Sequence, residues 1–408
     1  MSTRRTMGGL TLFTGILLGL ASQACTVTEC KEGDDCGFGG NGSGGGGTPG
    51  PVGIESLGSE TIDPDGTAEV TVSVPSGAPS FALVVQGAGS ELVIADKITS
   101  PSGTVVFDFD ADIATNRTDA TDGLYTVLVP TNPAVAVEEG DWLINLRSGS
   151  NTFEGDLTSV IKRQPATDNL LDLNLYFVGL PDTFDPAADT RFQSVLTNVG
   201  AIYQGAGFNV RSINSFPITG GDGDTYGVID SEAELKQLFQ LSPSESNISL
   251  NLFFVNDISF GGSLSIVGLA GGVPGPPALQ GTERSGVAAS MGSYLAALEM
   301  GDMELLETAA QELEIIIAHE TGHFLGLYHT VERNGLALGM GDAINGEDPL
   351  ADTATCPDSA DANMDGLLSP TECAGQGASN LMFWSPANDA RTLTGNQGTI
   401  MLANPLVH

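Results

Sequence analysis

Three of the four histidines in this chain fall within eleven residues, as His319, His323 and His329 of the run HETGHFLGLYH. Residues four apart share one face of a helix, so His319 and His323 can present imidazole nitrogens to one point. Gly326 stands where such a helix must end. Glycine there can adopt the left-handed turn that sends the chain back across the same face, and His329 then arrives as a third donor. Three imidazoles with a fourth position left to water make an open zinc site, the catalytic rather than the structural kind. Glu320, beside the first donor, is placed to hold the zinc-bound water and take its proton as general base. The chemistry implied is metal-assisted hydrolysis. His408 lies outside the pattern and is expected to be solvated and idle.

A second metal pattern lies further on. Asp361 to Glu372, DANMDGLLSPTE, carries side-chain oxygens at loop positions 1, 3, 5, 9 and 12 and glycine at 6. That is the spacing of a calcium loop of EF-hand type. Its ligands would be Asp361, Asn363, Asp365, the Leu367 carbonyl, Ser369 through water, and Glu372 with both oxygens. Cys356 and Cys373 bracket the loop, and a disulfide between them would fasten its ends. Ca2+ there is expected to stiffen the rim of the zinc site. The acidic, glycine-rich run Gly220 to Gly227 is expected to be a solvated loop, not a further calcium turn. Glu304, Glu307, Glu312 and Glu314 read as the solvent face of the zinc helix.

The elements that must carry these residues are legible from periodicity. Asp302 can cap a long helix from Met303 to about Leu325. Upstream, LDLNLYFVGL and SLNLFFVNDI read as strands, and TRFQSVLTNVGAIYQGAGF as a helix with apolar positions at helical spacing. Residues 268–290 are an irregular Pro/Gly-rich segment ending in a short apolar run, and SYLAALEM is a short helix. Strands alternating with helices predict a mixed α/β domain over 166–408, loop-rich after Thr330. Residues 54–165 differ. AEVTVSV, SFALVVQ, GTVVFDF, LYTVLVP and DWLINLRS are short β-rich runs separated by turn signals such as DPDG and SPSG. They predict an all-β sandwich or jelly roll. It holds neither histidine nor cysteine, and reads as an accessory, pro- or binding domain.

Composition bounds the partners. With 51 acidic against 14 basic residues and a net charge of −37, the chain has no means of neutralising a run of phosphates, which excludes a nucleic-acid footprint. The charge suits solubility in a salty or calcium-containing medium. Residues 1–24 read as a signal peptide: Arg4 and Arg5, an apolar run from Gly8 to Ala21, then small residues. Cys25 follows directly, as in a bacterial lipoprotein whose cysteine is lipidated; plain secretion is the alternative. Residues 25–53 are a cysteine-containing, glycine-rich tether. With Cys25 lipidated, the remaining four cysteines pair as Cys30 with Cys36 and Cys356 with Cys373. The expected partners are a protein or peptide substrate and a membrane reached only through the lipid anchor, for a monomer at the cell surface.

The motif HExxHxxGxxH is that of the metzincins, and from about Leu171 onward the chain resembles the pappalysin family. NLFFVNDI, GLAGGVP and SGVAAS are similar to that family's strand, its glycine-alanine-proline stretch and the edge strand above the cleft. DPLADT resembles its carboxylate-threonine segment. Asn380-Leu381-Met382 resembles its Met-turn, which makes Met382 the apolar floor beneath the metal. LTGNQGTIM matches the helix that follows, and Thr394 with Gln397 has capping-box spacing. Trp384 stands where the family has a tyrosine near the metal, and its indole N–H becomes a candidate oxyanion donor. The resemblance implies a zinc endopeptidase whose substrate lies extended along the edge strand near Gly286 to Ser290. The competing reading is a tethered, calcium-dependent binding or adhesion protein with a vestigial peptidase domain.

Overall fold

Period-two sequence in the first half closes into two antiparallel sheets. Ala68–Val74 alternates buried and exposed residues along its whole length, as a strand with one face on a core must. It pairs with Gly140–Ser148, whose Trp142, Ile144 and Leu146 are fully buried. In the computed structural model of the chain, the described residues are 50–87, 89, 91–111, 113–243, 248–260, 264–265, 267–332, 348–387 and 389–408. One sheet runs in the order Val52–Ile62, Phe153–Lys162, Ser80–Gln86, Leu124–Val129; the other runs Ala68–Val74, Gly140–Ser148, Leu92–Thr99, Val105–Asp108, Ile113–Ala114. Both contribute to one apolar cluster containing Ile62, Phe81, Ile94, Tyr125 and Trp142. The first strand begins at Val52, inside the segment expected to be tether. Residues 1–49, with the signal segment, Cys25, Cys30 and Cys36, lie outside the described residues.

Two strands depart from alternation. Leu124–Val129 is buried at every position and Ser80–Gln86 at all but its last. The reason is tertiary: the outer face of their sheet is covered by the C-terminal half. There Ala82, Leu128 and Val160 pack against Ala278 and Leu279. Buried polar contacts cross the same joint. Lys162 Nζ donates to the carbonyls of Asn404 (3.2 Å) and Val407 (2.6 Å), and Lys236 pairs with Asp122 at 2.8 Å.

The C-terminal half is built on a five-stranded sheet in the order Asn209–Ile218, Leu170–Val178, Leu250–Val255, Val287–Ser290, Gly268–Ala270. The first four strands are parallel and the last is antiparallel. This corrects the expected edge. Val287–Ser290 is an interior strand, and Gly268–Ala270, read from sequence as irregular, forms the edge among the described residues. Three residues give too short a run for periodicity to register.

Among the described residues the α-helices are α1 (Thr190–Gly205), α2 (Gly220–Tyr226), α3 (Glu232–Phe239), α4 (Gly292–Met300), α5 (Met303–Phe324) and α6 (Gly395–Ala403). No described helix is long and apolar enough to cross a membrane. The run at Gly220 is therefore helical where a loop was expected. Gly223 lies so close to Gly179 that a Cβ on Gly179 would fall 2.2 Å from the Gly223 carbonyl oxygen, and that packing overrides poor helix propensity. Asp302 caps α5 as expected, its carboxylate accepting from the backbone N–H of Glu304 and Leu305. Glu304 and Glu307 face solvent, but Glu314 is buried, accepting from Asn198 at 2.6 Å and pairing with Arg391. It lies on the face that α1 and the C-terminal segment cover, so it is a structural anchor rather than solvent-facing.

Candidate metal centre

Helix α5 ends one turn before it would carry the third histidine away. Leu325 is its C-cap, Gly326 follows at φ +107°, and two bonds close the end: Gly326 N–H to His323 O (2.9 Å) and Leu327 N–H to Gly322 O (2.9 Å). This is the paired-bond Schellman geometry, which satisfies the last carbonyls and reverses the chain. A Cβ at Gly326 would sit 2.8 Å from Leu128, so the position needs glycine for space as well as for φ. The reversal returns His329 to the first two histidines. Their Nε2 atoms lie 3.0 Å (His319–His323), 3.1 Å (His323–His329) and 3.3 Å (His319–His329) apart. A tetrahedral ion about 2.0–2.1 Å from each donor requires donors spaced about 3.3 Å, so the set fits zinc. Among the described residues, these three form the group of His, Cys, Asp or Glu ligand atoms gathered within 4.8 Å of one another.

Each ring's other nitrogen is engaged. His319 Nδ1 bonds Leu381 O at 2.7 Å, His323 Nδ1 bonds Leu327 O at 2.8 Å, and His329 Nδ1 lies 3.1 Å from both carboxylate oxygens of Glu332. These acceptors require N–H at Nδ1, leaving all three Nε2 lone pairs facing one point. Burial holds the first two rings neutral: it pushes His319 down to about 3 and His323 well below its ordinary value. Burial raises Glu320 to about 7 against the opposing pull of His329 and of the Ala270 N–H. That N–H, on the edge strand, donates to Glu320 Oε2 at 2.9 Å. Glu320 is thus tied to the edge strand.

The segment Asn380 to Met382 lies against the helix that carries this triad. Met382 is fully buried, and a Cβ on Gly322 would fall 2.6 Å from its sulfur. Asn380 Oδ1 accepts from Met382 N–H (2.8 Å), while Asn380 and Gln397 exchange side-chain amide bonds. Gln397 also completes the expected capping box with Thr394 at the start of α6. Trp384 differs from expectation. Its indole N–H donates to Leu368 O at 2.7 Å, in a cluster with Val331, Cys356, Cys373 and Phe383. That bond turns it away from an oxyanion role and makes it a wall of the neighbouring loop.

The 361–372 loop closes on itself. Gly366 has φ +79°, Asp361 Oδ2 accepts from its N–H (3.1 Å), and Glu372 accepts from Ala362 N–H (3.0 Å) and from the Ser369 hydroxyl (2.7 Å). Asp361 Oδ1 is buried with no partner among the described residues. The three loop carboxylates do not converge as the imidazoles do. A Cys356–Cys373 disulfide ties its flanks.

Three features had little signal in sequence. Glu332 follows the last histidine by three residues, and an acceptor for His329 Nδ1 is what a metal-binding imidazole calls for. Arg117, whose guanidinium lies 4.3 Å over the ring of Tyr328, comes from the β half, with no local pattern to mark it. Asp348 binds the backbone of the third donor, its N–H donating to His329 O at 2.9 Å. Burial raises the Asp348 carboxyl from 3.8 to about 6. A raised folded-state pKa means the fold prefers the protonated acid, so that contribution is present below pH 3.8 and lost as pH rises through 6. Asp348→Asn is therefore expected to gain stability over the parent above pH 6, by up to roughly 3 kcal/mol, and to gain nothing at pH 3.5. Melting curves at the two pH values check this; an equal shift at both would refute it.

No protein-family model matches the chain, and a search of curated proteins finds no match. Among solved structures, the chain is similar to archaemetzincin from Methanopyrus kandleri, at 20% identity over 45% of this chain and 90% of that one, with a TM-score of 0.28. It is also similar to metalloproteinase-II from Bacteroides fragilis, at 13% identity over 48% of this chain and 59% of that one, with a TM-score of 0.26. At these scores neither likeness bears on chemistry; the residues at the site decide that.

Proposed function

We propose that the chain is a zinc-dependent endopeptidase of metzincin type, with Glu320 as general base. The observation that carries this reading is the convergence of three Nε2 lone pairs at zinc spacing, each ring fixed by a bond to its Nδ1. Zinc, when bound, supplies carbonyl polarisation and a water acidic enough to ionise near neutrality. Glu320 lies beside the triad in a dry environment, where burial keeps its carboxylate basic enough to accept that water's proton and return it to a leaving amine. The edge strand Gly268–Ala270 offers main-chain groups along which an extended peptide can align. Likeness to the pappalysins rests on the Met-turn and the DPLADT segment, with Trp384 as a departure.

The division into a β-sandwich over 54–165 and a peptidase domain over 166–408, the lipid anchor at Cys25 with export to the cell surface, and a monomeric state belong to the same reading. So does Ca2+ in the loop of Asp361, Asn363, Asp365, Leu367, Ser369 and Glu372. Calcium titration is expected to raise the melting temperature of the parent and not of Glu372→Gln; an equal response in both would remove calcium from the reading. Casein hydrolysis that 1,10-phenanthroline abolishes and zinc restores tests the peptidase itself. Zinc binding with no hydrolysis of casein or of a peptide library would favour the adhesion reading instead.

A further inference from the structure

The zinc triad does not stand on its own half of the chain. The segment between Ile113–Ala114 and Thr121–Asp122, in the β half, reaches the turn that carries His329. It is held stiffly. Asn116 Nδ2 donates to Leu128 O (2.9 Å), Thr131 N–H donates to Asn116 Oδ1 (2.8 Å), and Thr131 Oγ1 donates to Arg117 O (3.1 Å). Arg117, whose side chain is only 5% exposed, pairs with Asp119 through Nε at 3.1 Å and Nη2 at 3.3 Å. Its guanidinium lies 4.3 Å over the ring of Tyr328, the residue before His329. The Tyr328 hydroxyl in turn reaches back to Arg117 O (3.3 Å) and Val273 O (3.1 Å).

Three residues beyond His329 in sequence, the Glu332 carboxylate accepts from His329 Nδ1 at 3.1 Å. A stacked, forked arginine in a dry site is a fixed charge rather than a floating one. It holds Tyr328 by contact, and with it the backbone that leads directly into His329.

We propose that Arg117 of the β half is a positioning residue of the metal centre, acting through Tyr328 on His329. The β half is then a permanent part of the site, not a segment whose removal liberates it. The proposal rests on the zinc reading above and extends it.

The test uses the full chain. Zinc affinity is measured by competition with a chromogenic chelator, and the visible absorption of the Co2+-loaded protein reports the geometry of the donors. Arg117→Ala is expected to weaken zinc at least about tenfold and to alter the Co2+ bands, and Tyr328→Leu to do the same. The double variant is expected to lose little more than either single one. Lys162→Met, which removes the bridge from the β half to the Asn404 and Val407 carbonyls, is expected to lower the melting temperature without changing zinc affinity. Should Arg117→Ala fail to fold, Arg117→Lys serves: it keeps the charge, loses the planar stack and fork, and is expected to weaken zinc about three- to tenfold. Parental affinity and Co2+ bands in the folded arginine variant would overturn the proposal, as would losses that add fully in the double variant. Failure of the parent to bind zinc would instead remove the peptidase reading.

Discussion

Glu320→Gln is expected to bind zinc as the parent does and to lose hydrolysis by roughly a hundredfold to ten-thousandfold, the usual worth of a positioned general base. The substitution changes one thing. Glutamine keeps the shape and a carbonyl oxygen that can still accept the Ala270 N–H bond now made by Oε2, so the edge strand stays in register. It cannot take a proton from water. None of the three Nδ1 acceptors around the imidazoles belongs to Glu320, so the donor set is untouched. Zinc content by elemental analysis and turnover of casein, measured on one preparation, separate the two properties. Parental turnover with zinc retained would move the base elsewhere.

Removing the metal is expected to cost stability as well as activity. Three lone pairs about 3 Å apart are brought together in a buried site, and a bound cation replaces mutual repulsion with attraction. An ion that binds only the folded chain stabilises it by about 4 kcal/mol when its free concentration is about a thousand times its Kd. Because burial keeps His319 and His323 neutral down to acid pH, protons on these two rings do not compete with the ion near neutrality. The parent should therefore melt several degrees higher with zinc than after dialysis against chelator. His323→Ala, which removes the central donor, should abolish that difference. Identical melting of the parent with and without zinc would show that the triad does not hold the ion.

Much of the site was legible in the sequence because its determinants are local. A helix places residues 319 and 323 on one face by its pitch, Asp302 and Gly326 set where that helix begins and stops, and Thr394 with Gln397 starts α6. Each is a relation among residues a few positions apart, which is the range over which backbone geometry acts. What failed was read across space. Glu314 was assigned to the solvent face by periodicity, yet Asn198 and Arg391 come over it. The place of Trp384, two residues after Met382, suggests an oxyanion donor, yet Leu368 O claims its N–H. The edge of the sheet passed to a three-residue strand too short to carry a period.

The eleven residues HETGHFLGLYH by themselves determine which atoms can bind a metal and that they can meet, since helix pitch and one left-handed glycine suffice. Leu327 O, within the same run, holds His323; only the tertiary structure decides how the other two donors are held. Leu381 O, Glu332 and the Arg117–Tyr328 stack come from a loop, a turn and the other half of the chain. The physical reason is that a ligand's identity is covalent and local. Its orientation depends on the hydrogen-bond acceptor behind it, and for His319 packing, not sequence distance, selects that acceptor.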